Sequence, residues 1–245
     1  MGVSFGKWTK YNLMSMDERL TRFLPETQFF TKSSLMEMLK KYGQVMLKPC
    51  RGYQGLGIIQ ITDLNNGELE LHIEDRKNII SEEENLYEFL RENYIKRKKR
   101  PYIIQQKIPL ATINSKNPFD IRVMVQRKRN TSEWKVTGKL AKVAANNFVI
   151  SNVAKTVLTV ENVFEESSLS NENITEIINE LDQVSLLIVQ QLETSYPECR
   201  IYGIDLGIDQ EGKIWIIEAN LNPNISMFKM LENDCYETIR KYLKG

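Results

Sequence analysis

The sequence predicts an α+β fold in which two lobes enclose a cleft. Three observations predict it. Strand-type and helix-type stretches are interspersed along the chain, a glycine-rich turn joins two apolar strands near residue 50, and a hairpin near residue 210 sets two acidic residues side by side.

An amphipathic helix is expected near Thr9 to Phe23, stopped by Pro25, and a second near Lys32 to Tyr42, opened by Thr31 and closed by Gly43. Strand Gln44 to Pro49, the glycine turn, strand Leu56 to Thr62, an Asn65-Asn66-Gly67 turn and strand Glu68 to Glu74 follow. A helix from about Glu82 to Lys96 leads into strands Tyr102 to Ile108, Asp120 to Arg129 and Trp134 to Ala144. The chain then reads as a helix near Asn171 to Thr194, strands Arg200 to Ile208 and Lys213 to Ile217, and a closing helix Met227 to Leu243. No repeat or low-complexity linker interrupts it, so residues 1–245 are expected to form one domain: the helices and small lobe up to about residue 100, and the large lobe from 101.

The turn runs Lys48-Pro49-Cys50-Arg51-Gly52-Tyr53-Gln54-Gly55-Leu56-Gly57. A strand lysine beside flexible backbone N–H groups suits a polyphosphate. No Gly-Lys-Ser/Thr follows, which excludes a P-loop, and Gly55 and Gly57 lead into a strand, which excludes a dinucleotide fingerprint. A plain hairpin whose glycines supply positive φ accounts for the turn alone. Asp205 and Glu218 lie on strands joined by Gln210-Glu211-Gly212. Adjacent ionised carboxylates repel unless a cation lies between them, and a metal is the economical expectation.

Composition narrows the classes. With 33 basic and 32 acidic residues the net charge is +1, so no global field holds nucleic acid or an anionic membrane. Cys50, Cys199 and Cys235 lack any CxxC spacing and read as reduced thiols. No apolar run matches a membrane span or the core of a signal peptide, so a soluble, cytoplasmic protein is expected. The single histidine, His72, reads as a half-exposed strand residue and leaves carboxylates, lysines and arginines to do the chemistry. Lys96 to Arg100 reads as a solvated helix end, Met14, Met16, Met36 and Met38 as core, and Trp8 as packing.

The order Lys7, Lys48 with its turn, Ile103-Ile104-Gln105-Gln106-Lys107-Ile108, Asp120-Ile121-Arg122, and Asp205/Glu218/Asn220 resembles an ATP-grasp enzyme. Gly6-Lys7-Trp8, Leu24-Pro25-Glu26-Thr27 and Pro118-Phe119-Asp120-Ile121-Arg122-Val123-Met124-Val125-Gln126 resemble the YheC/YheD family, endospore coat-associated ATP-grasp proteins similar to RimK-type ligases. The resemblance implies an ATP-grasp fold, ATP and Mg²⁺ as cofactors, and a nucleotide between the lobes. It implies that Lys7 and Lys48 hold phosphates with Gly52, Gln54, Gly55 and Gly57 of the turn. It implies that Gln106, Lys107 and Ile108 read the adenine edge, that Asp120 meets a ribose hydroxyl, and that Lys139, Lys142, Ser151 and Asn152 close over phosphate. Arg122, on the same strand face as Asp120, would meet the transferred phosphoryl group, and Asp205, Glu218 and Asn220 would hold Mg²⁺, with Glu218 able to bridge two ions.

The pattern departs at Val153-Ala154-Lys155-Thr156, where a basic or glycine pair is usual, at Lys107 and at Asn224, both in place of glycine. Lys7 nearly opens the chain, whereas such proteins often carry a region before the first lysine; the substrate contacts of such a region are then expected to come from elsewhere, a partner protein among the sources, or to be missing. The implied activity is an ADP-forming ligase that joins a carboxylate to an amine on an amino acid, peptide or protein end. A phosphotransferase and a nucleotide-binding structural protein of the spore or envelope are the alternatives.

Overall fold

The computed structural model describes residues 4, 6–52, 55–81, 86–95, 101–144, 154–169 and 174–245. Gln54, Ser151, Asn152, Val153 and the Lys96 to Arg100 run lie outside the described residues.

Two antiparallel sheets organise the molecule. The first takes β1 (Thr27–Phe29), β2 (Gln44–Pro49), β3 (Ile59–Asp63), β4 (Leu69–Ile73), β5 (Arg76–Ile80) and β6 (Tyr102–Gln106) in the order β1-β6-β2-β3-β4-β5. The second takes β8 (Asn117–Gln126), β9 (Lys135–Ala144), β10 (Ala154–Leu158), β11 (Ile201–Ile208) and β12 (Ile214–Asn220) in the order β10-β9-β8-β11-β12, with β7 (Thr112–Ile113) paired to β8. Strand β6 therefore belongs to the first sheet, between β1 and β2, and residues 107–111 connect it to the second sheet, where Ala111 N donates to Ile208 O.

Each sheet has its own apolar core; α4 (Leu86–Leu90) gives Leu86 and Leu90 to the first, and α5 (Val160–Glu165) gives Val160, Val163 and Phe164 to the second. On the first, Leu35, Met38 and Leu39 of α3 (Lys32–Tyr42) cover Val45, Leu47, Ile59 and Ile61. Thr31 and Ser34 cap α3 reciprocally and Gly43 ends it at φ 65°, a left-handed conformation that favours glycine. On the second, Leu181, Val184, Ile188 and Leu192 of α6 (Ile174–Glu193) cover Phe119, Ile121, Val123 and Val125, every other residue of β8. The intervening residues Asp120 and Arg122 are thereby turned to the opposite face.

The N-terminal helices join this second core. The expected single helix is two, α1 (Lys7–Ser15) and α2 (Glu18–Thr21), because the Asp17 side chain accepts a hydrogen bond from Arg19 N and starts a new helix. Met14, Leu20 and Phe23 pack with the α6 residues, so α1 and α2 travel with the large sheet and not with the small lobe. The break leaves Met16 73 % exposed and Met36 lies at the surface, whereas Met14 and Met38 are core. The closing helix is likewise split, into a 3₁₀ turn Ser226–Met230 and α7 (Cys235–Lys244), where Asn233 Oδ1 accepts from Cys235 N. No helix among the described residues is long and apolar enough to cross a membrane.

Candidate functional site

A cleft of about 1080 Å³ separates the sheets. Its wall on the first sheet includes Met46, Lys48, Ile58 and Gln60; Gln106, Lys107 and Ile108 form its back; Asp120, Arg122, Lys142, Asp205, Glu218 and Asn220 face it from the second sheet. Of the residues proposed from sequence, Lys7, Gly52 and Gly55 line it too.

Strand register brings the charged groups together. Arg122 of β8 pairs with Asp205 of β11, which pairs with Glu218 of β12, while Asp120 of β8 pairs with Lys142 of β9. Strand β12 runs on to Asn220, so Glu218 sits within the strand and not at its end. Arg122 holds Asp205 in a bidentate pair, Nε to Oδ1 at 2.6 Å and Nη2 to Oδ2 at 2.8 Å. Lys142 Nζ lies 2.8 Å from Asp120 Oδ1 and 3.0 Å from Asp205 Oδ1, and Asn220 Nδ2 donates to Asp205 Oδ2 at 3.1 Å. Lys7 Nζ donates to Glu218 Oε1 at 2.7 Å, and Lys48 Nζ to Gln105 Oε1 at 2.5 Å.

This corrects the inference from carboxylate repulsion. Arg122, Lys142 and Lys7 already neutralise the pair, so the two acids are stable neighbours without a metal between them. Burial would raise the Asp205 carboxyl, but Arg122 and Lys142 hold it far below the usual carboxylate range; Lys7 and Lys10 lower Glu218 against the same opposition. Asp120 behaves differently: burial pushes it up to about 6 even with Lys142 beside it, and the negative charge of Asp205 adds to the rise. Burial, with Lys7 nearby, brings Lys48 down to about 8.

The donor set fits Mg²⁺. Among the described residues no three His, Cys, Asp or Glu side chains converge as a ready-made metal cage. Two ionised carboxylates and an amide remain, and Mg²⁺ commonly takes one or two protein carboxylates completed by phosphate oxygens.

Two expectations change. Lys139 lies three residues from Lys142 on the same strand, hence on the opposite face; it pairs with Val123 and donates to Asp182 of α6 at 2.8 Å, away from the cleft. His72 is buried at 8 % exposure and lines the cleft, because Gln60 and His72 pair across β3 and β4 on the face turned to it. Gly57, at φ 81°, shapes the turn without lining the cleft. Lys10 and Gln105 were not anticipated; the signals available were the i, i+3 spacing of Lys7 and Lys10 and the shared parity of Gln105 with Ile103 on β6.

Gly203 supports this arrangement by having no side chain. A Cβ there would lie 2.5 Å from Pro223 Cβ and 3.3 Å from Arg122 Cδ. Gly203→Ala is therefore expected to cost about 1–3 kcal/mol in denaturant unfolding, since neither the proline ring nor the paired arginine can yield cheaply. An unchanged midpoint would show that the Pro223 loop is free to move.

Two antiparallel sheets joined by a short connection, with a cation-rich cleft between them, define an ATP-grasp protein. Residues 2–244 match the YheC/D-like ATP-grasp family, and the chain belongs to it. It is 30 % identical over 228 residues to endospore coat-associated protein YheD of Bacillus subtilis (strain 168) and 21 % identical over 224 residues to YheC of the same organism. These matches take in 91 % and 89 % of this chain, which spans only about half the length of the relatives, 49 % of YheD and 59 % of YheC. Among solved structures it resembles the N5-carboxyaminoimidazole synthetase of Staphylococcus aureus complexed with ADP, with a TM-score of 0.58 at 10 % identity over 99 % of this chain and 52 % of the other. The corresponding Thermotoga maritima enzyme aligns with a TM-score of 0.52 at 15 % identity, over 98 % of this chain and 48 % of the other. These likenesses establish the fold.

Proposed function

We propose that the chain is an ATP- and Mg²⁺-dependent carboxylate–amine ligase that forms ADP. The observation that carries this reading is the convergence of Lys7, Lys48, Arg122 and Lys142 with Asp205 and Glu218 in one cleft between two sheets. The structurally similar S. aureus synthetase is complexed with ADP, which supports a nucleotide as ligand.

In this reading Lys7 and Lys48, with the turn at Gly52 and Gly55, bind the phosphates, and Gln106 to Ile108 bind the base. Asp120 meets a ribose hydroxyl and Lys142 a phosphate. Glu218, Asn220 and Asp205 would hold Mg²⁺, which would supply charge neutralisation on phosphate oxygens. Arg122, its Nε and Nη2 fixed by Asp205, keeps a permanent positive charge at the cleft for the oxygens of the transferred group. A substrate carboxylate oxygen attacks the γ-phosphorus, the bond from that phosphorus to the β–γ bridging oxygen breaks, and ADP leaves with the electron pair. The acceptor amine then attacks the acyl carbon, expels phosphate and gives up a proton to it. Positioning and fixed charge suffice for both steps, so the site needs no histidine or cysteine nucleophile.

Hydroxylamine tests the reaction type. Incubation with ATP, Mg²⁺ and pooled cell extract is expected to yield an acyl hydroxamate together with ADP. A phosphorylated product with no hydroxamate would replace the ligase by a phosphotransferase, and tight ATP binding with no turnover would favour a structural role of the kind the spore-coat names of its relatives suggest.

Lys48 gives a pH-dependent signature. Lys48→Ala is expected to weaken ATP by about 1.5–3 kcal/mol, the contribution of a charged hydrogen bond. Its ammonium, buried to a pKa of about 8, is charged below that pH and loses its proton above it, so ATP affinity should fall as pH rises from 7 to 9. Lys48→Arg should flatten that dependence. Calorimetry across this range measures both, and a wild-type affinity that holds steady up to pH 9 would remove Lys48 from the phosphate site.

A further inference from the structure

Lys10 is the buried charge that the cleft chemistry leaves unused. It sits one helical turn after Lys7 on α1, is 5 % exposed, and does not line the main cleft. Its ammonium donates to the backbone carbonyl of Ala219, the residue between Glu218 and Asn220, and lies 3.6 Å from Glu218 Oε1. Lys7 reaches that same oxygen at 2.7 Å from the cleft side. A small cavity of about 30 Å³ is walled by Lys7, Lys10, Lys48 and Glu218, and Lys7, Lys48 and Glu218 line the main cleft as well.

A lysine is costly at such a depth, and burial lowers its pKa accordingly. The packing of α1 holds it there: Met14, one turn on, is in the core of the large sheet, and Gln191 of α6 donates to Leu13 O at 2.7 Å. Lys10 is thus fixed to the large sheet together with β12, whereas Lys7, at the cleft, is placed to exchange Glu218 for an incoming phosphate.

We propose that Lys10 is a positioning residue for the cation-binding carboxylate, holding Glu218 Oε1 and the β12 carbonyl at Ala219 when Lys7 turns to the nucleotide. The inference rests on the nucleotide reading above. Lys10 acts through Glu218 and touches neither substrate nor cofactor. Partners that orient a metal-binding side chain from behind typically contribute 10–100-fold to metal affinity. A purely Coulombic role would have the opposite sign, since deleting a cation near a metal site tightens the metal.

Calorimetry of ATP binding with and without Mg²⁺, on the full chain, separates these. Lys10→Met is expected to lower the Mg²⁺-dependent enhancement of ATP affinity about tenfold or more while leaving metal-free ATP binding close to wild type, and Lys10→Arg to restore the enhancement. Mn²⁺ titration followed by electron paramagnetic resonance should show the same loss without any turnover. Thermal melting reports folding; if Lys10→Met does not fold, Lys10→Gln, which keeps a donor for Ala219 but no charge for Glu218, carries the same expectation. A folded variant with unchanged or tighter metal dependence overturns the positioning role. Wild-type protein that binds no ATP in either condition overturns the nucleotide reading itself, and with it this inference.

Discussion

Arg122→Ala is expected to abolish ADP formation and to lower the unfolding free energy by about 3–5 kcal/mol, the cost of breaking a buried ion pair from one side. Asp205 would keep Lys142 at 3.0 Å and the Asn220 amide at 3.1 Å but lose two charged hydrogen bonds. Burial, now opposed by less positive charge, would push the Asp205 carboxyl back upward, so the variant should also unfold at a higher pH in acid than the parent. The sign follows from linkage: a carboxyl depressed in the folded state contributes stability above its unfolded pKa, and that contribution is lost as pH falls through the folded value. Arg122→Lys separates structure from chemistry. It restores one charge to Asp205 without the planar fork, so most of the stability should return while turnover stays low. Denaturant melts and an ADP assay on both variants measure the split; full turnover in Arg122→Lys would mean that a point charge suffices and the guanidinium geometry is incidental.

Much of this site is written in strand parity. Asp120 and Arg122 two residues apart in β8, among Ile121, Val123 and Val125, could face only one way once the apolar set was buried against α6. The same rule, applied to Lys139 and Lys142, would have separated them, since an odd spacing on a strand gives opposite faces. Asp205 stands opposite Glu218 for a different reason: Ile208, Gly207 and Leu206 pair with Ile214, Trp215 and Ile216, and a bulge between Asp205 and Leu206 then shifts the register by one residue, which parity alone does not reveal. Other features have no local signature. Strands β1 and β7, of three and two residues, are too short to show a period, and β5 is largely exposed and carries no apolar alternation. Asp17 did carry a local signature, that of an N-cap: its side chain accepts from the Arg19 backbone N–H, and a continuous helix became two. Lys10 meets Ala219 across 209 positions of sequence, a contact set by how α1 docks on the large sheet. The fate of the paired acids was hidden for a related reason: the cations that neutralise Asp205 come from β8 and β9, some 60 to 80 residues earlier in the chain, and only the assembled sheet shows that the chain carries its own counterions.

Glu218→Gln should weaken the preference of the site for the magnesium complex of ATP over free ATP. In the parent, Glu218 repels free ATP and attracts the magnesium complex, so Mg²⁺ is expected to strengthen binding. The amide keeps the shape and still accepts from Lys7, but it removes the negative charge that burial opposes and that Lys7 and Lys10 sustain. Lys7 and Lys10, each other's nearest like charge on α1, would then be left short of a counter-charge. Free ATP carries that missing charge. Metal-free ATP is therefore expected to bind Glu218→Gln at least as tightly as it binds the parent, while the strengthening by Mg²⁺ falls by about 1.5–3 kcal/mol, the worth of one charged contact. Turnover should be lost in the same variant, because tighter binding of the wrong ionic form holds the substrate without placing its γ-phosphate. Parallel titrations with ATP and MgATP decide it. If Mg²⁺ strengthens binding to Glu218→Gln as much as to the parent, the metal is held elsewhere, and Glu218 is a structural counterion to the two lysines of α1.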